Sequence, residues 1–306
     1  MNDSNNIMNK VTGYIQYKHI SDVILDIKHL DYAIIKGCPL SYYAYSDYGR
    51  RSFLDTDILI DRKDISALEK VMLDHGFGQE FIDNKPVKAE RGKRILCLSN
   101  SHQILPYYRR VNNQLICFDV NFDIFWGEYT EKRINISKFL SDLTELEFFG
   151  VKIKTLRPLQ MMIQLILHHY KDMNSIFLLA TRKSIKYSMF KDVYYLLKNN
   201  IREISVERLY AISKEYNIIP YVYYIFYYTS VLFEDDIFKD YIGAFKTQEG
   251  DNLLNCYGLN DSERREWKYD FNVRLESESL YSLIKDDLTD KDIEKIALNK
   301  VVFCGE

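Results

Sequence analysis

The sequence lacks several signatures that define common classes of protein. Its five cysteines (Cys38, Cys97, Cys117, Cys256 and Cys304) are widely spread and form no CxxC pair. This pattern indicates free thiols in a reducing compartment rather than a disulfide framework or a zinc site. The sequence also has no Gly-x-Ser-x-Gly and no Gly-x4-Gly-Lys-Ser/Thr segment, so serine-nucleophile hydrolases and Walker-type NTPases find no support.

Long apolar runs and a basic leader are missing as well. The longest uncharged stretch, Ile218–Phe233, contains Pro220 and is shorter than the roughly 20 residues that a membrane helix needs. It predicts a buried helix. The first ten residues are polar and lack the basic-then-apolar order of a signal peptide. We therefore expect a cytoplasmic protein without a membrane association.

Neither sign of charge is in large excess. The chain has 41 Lys and Arg against 44 Asp and Glu, a formal net charge of -3. This balance argues against a bulk nucleic-acid binder, because phosphate contacts require a local excess of basic residues. The hydrophobic fraction of 47% and charged fraction of 28% are those of an ordinary globular protein, and the length suffices for one large domain or two ordinary ones.

The first half of the chain has the pattern of mixed helices and strands. Gly37 provides a tight turn after the first strand, and Gly76 provides a helix C-cap. The predicted elements are a helix at Ile20–Leu30, a strand at Asp31–Lys36, a helix at Pro39–Tyr45, a strand at Thr56–Ile60, a helix at Ile65–His75, and strands at His102–Val111 and Leu115–Phe125 joined by an Asn112-Asn113 hairpin turn.

After Pro158 the apolar spacing becomes helical. The predicted helices are Leu159–Tyr170, Phe190–Lys198, Val206–Tyr216, Glu263–Arg274 and Asp290–Leu298. No repeat and no linker rich in Gly, Ser or Pro divides the chain. The predicted fold class is therefore α+β, with an N-terminal domain at 1–155 built on a mixed β-sheet flanked by helices, and a mainly helical domain at 156–306.

Two aspartates open the otherwise apolar run Leu54–Ile60. Residues i and i+2 of a strand point to the same side, so the carboxylates of Asp55 and Asp57 should converge on one cation. Such a pair of like charges needs a counter-charge. Mg²⁺, with Mn²⁺ as the alternative, takes carboxylate oxygens together with substrate phosphates. The pair therefore predicts a divalent metal site that also holds an NTP.

A third acid is predicted on a second apolar run, Cys117–Ile124. Asp119 lies inside this run, where an acid is costly unless it is paired or bound to metal. Asn121 and Asp123 share its face by alternation, and Asp123 is expected near the strand end in solvent. Asp119 is therefore the predicted third ligand of a two-metal site.

The turn at Lys36, Gly37 and Cys38 is the predicted phosphate-binding segment. A strand that ends in Gly at a helix start lets backbone N–H groups approach phosphate, and the helix dipole adds to the attraction. Lys36 is expected to contact phosphate or to order the acidic cluster, and Cys38 to act through its backbone rather than its sulfur. Arg50 or Arg51 would grip the triphosphate or neutralise the carboxylates.

In this order, these motifs resemble the bacterial nucleotidyltransferase family of the DNA polymerase β superfamily. The resemblance is closest over 31–76 and looser over 115–200. It rests on Lys36-Gly37, Tyr45, Arg51, Asp55-Thr56-Asp57 with Ile58-Leu59-Ile60, Gly76-Phe77, Asp119, Ile166–His169 and Phe190–Leu197. The family's third aspartate usually begins an Asp-x-His-Trp stretch, whereas here Asn121 stands where the His would be. Any role of that His is therefore not carried over.

The resemblance implies a Mg-dependent enzyme that transfers a nucleoside monophosphate from an NTP and releases pyrophosphate. It implies that Asp55 and Asp57 hold both metals and that Asp119 completes the catalytic-metal site and assists deprotonation of the acceptor. Gly37 and the neighbouring amides would bind the β- and γ-phosphates. A direct role for His168 or His169 stays open, because a helical histidine is more often a core residue than a catalyst.

The acceptor is not specified by these residues. The acidic balance favours a small molecule over tRNA or protein. The order Lys-Gly, Arg-Ser-Phe-x-Asp-x-Asp also resembles nucleotidyltransferase toxins, some of which extend tRNA, and a basic face would favour that version. Its candidate residues are Arg182, Lys183, Lys186 and Lys191. The rival from another class is a non-catalytic nucleotide-binding or scaffold module, which separation of the three carboxylates would favour. The oligomeric state is not predicted.

Overall fold

The structure is a computed structural model that describes residues 3–51, 53, 55–111, 114–126, 133–181 and 184–303, without the side chains of Asp3 and of 301–303. The predicted turn at Asn112-Asn113 and the basic residues Arg182 and Lys183 lie outside the described residues. The chain forms two compact units, 1–161 and 162–306, each with its own fold. The division falls inside a helix, a little beyond the predicted boundary.

The first unit contains helices and strands in alternation. A short 3-10 turn, Arg62–Asp64, precedes the third helix. The helices are α1 (Asp3–Asp26), α2 (Gly37–Tyr45), α3 (Ile65–Asp74), α4 (Arg91–Asn100) and α5 (Ile136–Phe139), and the strands are β1 (Tyr32–Ile35), β2 (Thr56–Ile60), β3 (Glu80–Ile82), β4 (Lys85–Val87), β5 (Tyr107–Val111), β6 (Gln114–Asn121), β7 (Leu143–Phe148) and β8 (Val151–Leu156).

A six-stranded mixed sheet organises this unit, in the order β5-β6-β2-β1-β8-β7. Strand β2 pairs antiparallel with β1 and parallel with β6, while β8 pairs parallel with β1 and antiparallel with β7. Strands β3 and β4 form a separate hairpin. The predicted mixed N-terminal sheet is confirmed.

The centre of the sheet is buried, which explains the continuous apolar runs of its strands. All residues of β1 and β2 are buried. Helix α1 contributes Ile20, Val23 and Ile24 to the same core, and Ile27 directly after the helix joins them. Burying an aliphatic side chain of this size contributes about 1.5–3 kcal/mol, so this helix face is a main source of the unit's stability.

Two elements differ in length from the predicted ones. Helix α1 begins at Asp3, well before the predicted start at Ile20. Its first turns are mostly solvent-exposed and carry no apolar periodicity, so the sequence pattern does not reveal them. Strand β5 begins at Tyr107, not His102, since Pro106 has no N–H for a ladder. The segment before it makes only isolated contacts to β6, such as the Gln103–Asn121 bridge.

The second unit is mainly helical, as predicted. Its helices are α6 (Pro158–Asn174, which begins in the first unit), α7 (Ile176–Thr181), α8 (Tyr187–Asn199), α9 (Val206–Glu215), α10 (Ile219–Phe233), α11 (Phe238–Phe245), α12 (Gln248–Leu254), α13 (Phe271–Glu276), α14 (Leu280–Ile284) and α15 (Asp290–Phe303), and its strands are β9 (Cys256–Tyr257) and β10 (Arg265–Glu266). Short 3-10 turns occur at Asp261–Glu263 and Lys285–Asp287.

Helix α10 is the core of this unit. Its tyrosines at 221, 223, 224 and 228 are buried, so the cluster is a packing feature, as the Tyr-rich run predicts. No helix in the described part of the chain is both long and apolar enough to span a membrane.

The predicted helix at Glu263–Arg274 is wrong. In its place the chain makes the antiparallel hairpin β9–β10 and then the short helix α13. Gly258 is required in this hairpin, because its φ is +99° and a Cβ there would lie 2.4 Å from the carbonyl oxygen of Glu263. Two-residue strands leave too little alternation for a sequence pattern to reveal them.

Candidate active site

The parallel pairing of β2 and β6 aligns two of the predicted ligands. Asp57 and Asp119 are Cα partners in the register, so their side chains leave the sheet on the same face. Asp55 comes two residues before Asp57, directly ahead of β2. Asp57 is 8% exposed, and Asp55 and Asp119 are half-buried. Asp57 and Asp119 therefore lie side by side on one face of the sheet, and Asp55 lies just ahead of Asp57.

Burial and mutual repulsion make the charged forms of these carboxylates unfavourable. Burial raises the pKa of Asp55, and the charge of Asp57 raises it further. Burial likewise raises the pKa of Asp119 to about 6, with Asp57 and Asp55 adding to the rise. In both cases the ammonium of Lys36 opposes the shift. The site thus carries more negative charge than its own cations balance.

Lys36 forms an ion pair with the acidic cluster, and its two predicted roles stay predictions. Its Nζ lies 2.7 Å from Oδ1 of Asp57, and both side chains are largely buried. The backbone of Lys36 has φ 59° and ψ -146°, a region that residues other than glycine rarely occupy and that costs about 1–3 kcal/mol. Such strain is typical of functional sites, where the surrounding structure holds the residue in place.

The turn after β1 presents the start of a helix. Gly37 has φ +48°, and a Cβ there would approach Phe53 no closer than 3.8 Å. The glycine is therefore required by the backbone conformation rather than by space. It opens α2, whose first N–H groups have no partner within the helix and can bind an anion.

Cys38 lies in the first turn of α2 with its thiol in the core. The residue is 1% exposed, and burial raises the pKa of the thiol to about 12, although the neighbouring Tyr17 hydroxyl lowers it. This sulfur is remote from reactive chemistry at neutral pH. That the backbone of Cys38 is its functional part stays a prediction.

The two arginines before the aspartate pair have different surroundings. Arg50 is half exposed, and its Nε lies 3.9 Å from Asp47. The backbone N–H of Arg51 donates to the Ser41 hydroxyl at 3.1 Å, and its charge lowers the pKa of Asp55 against the effect of burial. Of the two, Arg51 is the one that acts on the carboxylates.

Two neighbours of Asp119 were not predicted from the sequence. Cys117 lies two residues before it, and its Sγ is 3.7 Å from Oδ1 of Asp119. Tyr108 on β5 is the register partner of Cys117. Burial raises the pKa of Tyr108 to about 12, and the nearby Cys117 and Asp119 add to the rise. Strand alternation would have found Cys117, and the hairpin register would have found Tyr108.

The prediction that Asp123 lies in solvent is wrong. Asp123 is 4% exposed; its Oδ1 accepts the N–H of Phe125 at 3.0 Å and its Oδ2 lies 3.2 Å from Nη1 of Arg133. Strand β6 ends at Asn121, and the following chain turns inward and buries the acid. Asn121 is also structural, with its Nδ2 3.4 Å from the carbonyl oxygen of Ile58.

His168 and His169 lie on α6 beside Asp172. Nε2 of His168 is 3.3 Å from Oδ2 of Asp172. Among the described residues, this is the group of three whose possible ligand atoms all lie within 4.8 Å of one another. Asp55, Asp57 and Asp119 do not meet this 4.8 Å criterion in the described part of the chain, although the charges of Asp57 and Asp55 both reach Asp119 and raise its pKa.

Comparison with known proteins assigns the family. The family model described as "Uncharacterised nucleotidyltransferase" matches residues 24–234, well over half of the 306 residues. The chain belongs to this nucleotidyltransferase family. The part that the nucleotidyltransferase family model covers includes Lys36, Gly37 and all three aspartates. Bacterial origin and membership of the DNA polymerase β superfamily stay predictions.

A search of the curated proteins gives no match to this chain. Among solved structures, it is similar to the crystal structure of an antigenic nucleotidyltransferase-like protein from Paracoccidioides brasiliensis. The two are 21% identical, with a TM-score of 0.34, over 64% of this chain and 76% of that one. At that level the likeness carries no argument about the site.

Proposed function

We propose that the protein is a Mg-dependent nucleotidyltransferase, which transfers a nucleoside monophosphate from an NTP to a hydroxyl or phosphate acceptor and releases pyrophosphate. The observation that carries the proposal is the register of β2 and β6, which places Asp57 beside Asp119 on one face with Asp55 next to them. Membership of the nucleotidyltransferase family supports the same reaction class.

The donor set fits a hard divalent cation. Three carboxylates offer only oxygen ligands, and the raised pKa values of Asp55 and Asp119 arise from burial together with mutual repulsion. A cation of the Mg²⁺ type, or Mn²⁺ in its place, relieves that repulsion. When bound by these aspartates, it would neutralise the triphosphate and polarise the α-phosphate.

The other residues of the site would bind the substrate and move one proton. The first amides of α2, from Gly37 and Cys38, would hold the β- and γ-phosphates. Lys36 and Arg51 would add positive charge beside them. Asp119 would accept the proton of the acceptor hydroxyl as its oxygen bonds to the α-phosphorus, while the oxygen that joins the α- and β-phosphorus leaves with pyrophosphate.

For the acceptor we propose a small molecule, because the chain has a net charge of -3 and offers no long basic run. A tRNA acceptor, as in the toxin alternative, would need a basic face. Of its candidate residues Lys186 and Lys191 are described, and Lys191 lies over the ring of Tyr195 at 5.9 Å. A protein acceptor and a non-catalytic nucleotide-binding module are further outcomes of the same experiment.

The test is transfer from each of the four α-labelled NTPs with Mg²⁺, offered separately with a metabolite pool, total tRNA and cell protein. We expect labelled product and pyrophosphate from the wild type. The double variant Asp55→Asn/Asp57→Asn should lose at least about a thousandfold in rate, because metal stabilisation of the transition state is worth several kcal/mol.

The matched control is Asp236→Asn, which removes an acid that is largely exposed and should leave the rate unchanged. Mg-dependent NTP binding without transfer to any acceptor class would favour the non-catalytic module. Failure to bind NTP with Mg²⁺ would contradict the assignment of the aspartates.

A further inference from the structure

A buried arginine in the second unit has no anionic partner among the residues that the structure describes. Arg274 is 2% exposed. Its Nη2 donates to the hydroxyl of Tyr228 at 2.8 Å and its Nε to the backbone oxygen of Asp270 at 3.2 Å. Its Nη1 is buried without any acceptor. Because a guanidinium stays charged at all relevant pH values, this is a permanent cation in the interior with one side unsatisfied.

Three aromatic rings lie close to this guanidinium. Its carbon lies 5.0 Å from the ring centroid of Trp267, 5.3 Å from that of Tyr228 and 5.6 Å from that of Phe271. The face of an aromatic ring attracts a cation but accepts no ordinary hydrogen bond. The Tyr228 hydroxyl accepts from Nη2, so the need of Nη1 for an acceptor remains.

Within the described part of the chain, further buried donors of this unit that lack acceptors include Nε1 of Trp267 and Nε of Arg264. Arg264 directly precedes β10, whose Arg265 pairs with Tyr257. The ring of Tyr257 lies 4.5 Å from that of Trp267. Indole and guanidinium nitrogens can only donate, so all three unsatisfied groups require an acceptor.

The surrounding backbone holds these donors in place. The N–H of Trp267 donates to the backbone oxygen of Asn255 at 2.7 Å, which extends the β9–β10 hairpin. The carboxylate of Asp270 caps α13 by accepting the N–H of Val273, and Arg274 follows one turn later. The donors are thus fixed before any ligand arrives, which reduces the ordering cost of binding.

We propose that Arg274, Trp267 and Arg264 form an oxyanion-binding site, which takes a phosphate or carboxylate group of a ligand. An oxyanion supplies both the acceptor oxygens that the three nitrogens lack and the negative charge that Arg274 lacks. Trp267 and Arg264 are partly exposed as residues, although their donor nitrogens are buried, and Arg274 is buried as a whole. The site is independent of the nucleotidyl-transfer proposal.

The two tryptophans of the chain make the test direct. In the full-length protein labelled with ¹⁵N-tryptophan, Trp267→Phe identifies the indole signal of Trp267, and that of Trp126 serves as the internal reference. We expect inorganic phosphate to shift the Trp267 signal in a saturable manner, beyond any effect of chloride at equal ionic strength. Acetate is titrated in parallel, and the stronger of the two responses tells whether the site takes a phosphoryl or a carboxyl group.

Affinity measured by calorimetry provides the second readout. Trp267→Phe keeps the ring and removes one donor, and Arg264→Gln removes another; each should weaken phosphate or acetate binding by about tenfold or more. Arg202→Gln removes an exposed guanidinium elsewhere on this unit and should change nothing. If neither anion shifts the indole signal of Trp267 more than chloride does, or if Trp267→Phe and Arg264→Gln bind as the wild type does, water satisfies the donors and the proposal is wrong.

Discussion

The two units each contain a group of polar side chains that is unbalanced, and the imbalance has opposite sign. In the first unit, Asp55, Asp57 and Asp119 share one close ammonium, that of Lys36. In the second, Arg274, Trp267 and Arg264 offer donors without acceptors. Structural polar groups are normally satisfied within the fold. The two imbalances are therefore the basis of our two proposals, a bound cation in the first case and a bound anion in the second.

Removal of Lys36 should have the largest effect on stability, because it leaves the first site with more uncompensated negative charge. Lys36→Met leaves Asp57 buried without its partner, which we expect to cost about 3–5 kcal/mol in metal-free protein. Urea denaturation at pH 8 with a chelator measures this loss. Lys239→Met removes an exposed lysine that also pairs with an aspartate and should leave stability unchanged. Equal stability of Lys36→Met and wild type would show that Lys36 is not the counter-charge of Asp57.

Neutralisation of Asp119 should raise the free energy of unfolding, whereas removal of Lys36 should lower it. The pKa of Asp119 is about 6 in the folded state against an ordinary value of 3.8. Between these values the folded state binds more protons than the unfolded state, so stability falls as pH rises through this window. Asp119→Asn removes that loss and should raise the unfolding free energy at pH 8 by up to about 3 kcal/mol in metal-free protein.

The gain from Asp119→Asn should shrink to about 0.5 kcal/mol at pH 4, close to the ordinary pKa of 3.8, and should vanish at lower pH, where the wild-type carboxyl is neutral in both states. Urea denaturation at pH 4 and pH 8 separates this effect from a general stabilisation. A gain of the same size at both pH values would show that the cause is not the charge of Asp119. Mg²⁺ should stabilise the wild type more at pH 8 than at pH 5 and should stabilise the variant less.

The donor group of the second unit should respond in the same manner as the acidic group of the first. In buffer without phosphate or carboxylate, Trp267→Phe removes a buried donor that has no acceptor and keeps most of the ring. We expect a gain of about 1 kcal/mol, because the desolvation of that donor is no longer required. Thermal unfolding measures it. A loss of stability would show that the indole nitrogen is satisfied, and the comparison between the two sites would fail.

Gly37→Ala should change stability less than Lys36→Met, and it tests whether the turn has a role in NTP binding beyond its backbone conformation. The φ of +48° is unfavourable for alanine, and no atom obstructs its Cβ, so we expect a loss of about 1–2 kcal/mol. Gly150→Ala is the matched control, with φ +80° and open space around the Cβ, and should lose a similar amount. Only Gly37→Ala should also weaken NTP binding, as measured by calorimetry. Equal NTP binding by both variants would exclude the turn from the phosphate site.

Much of the first site could be predicted because its signals are local. The strand with Asp55 and Asp57, the turn at Gly37 and the C-cap at Gly76 each follow from residues a few positions apart. The structure has β2 over the predicted residues and Gly76 at the end of α3. The likeness to a nucleotidyltransferase family is confirmed by the family model. The assignment of these residues to metal and phosphate stays a prediction.

The remaining features depend on contacts between distant residues. Tyr108 joins the site only through the β5–β6 register, and the burial of Asp123 depends on a chain turn that its own sequence does not announce. The hairpin at Cys256–Glu266 carries no alternation and was predicted in part as a helix. In the sequence, Arg274 is only the last charged residue of the helix predicted at Glu263–Arg274. That its Nη1 lacks an acceptor is seen only in the structure, where Tyr228, Trp267 and Phe271 pack around it.

The strand order of the first unit has a consequence for synthesis on the ribosome. Strand β1 pairs with β8 through Ile34 and Thr155, which lie far apart in the sequence. Until β8 emerges, β1 has a free edge, and an exposed hydrophobic edge strand promotes aggregation. Strand β1 therefore lacks its neighbour β8 until nearly the whole first unit has been synthesised. A chain that stops before Val151 should accumulate as insoluble protein even though every residue of the aspartate cluster has already been made.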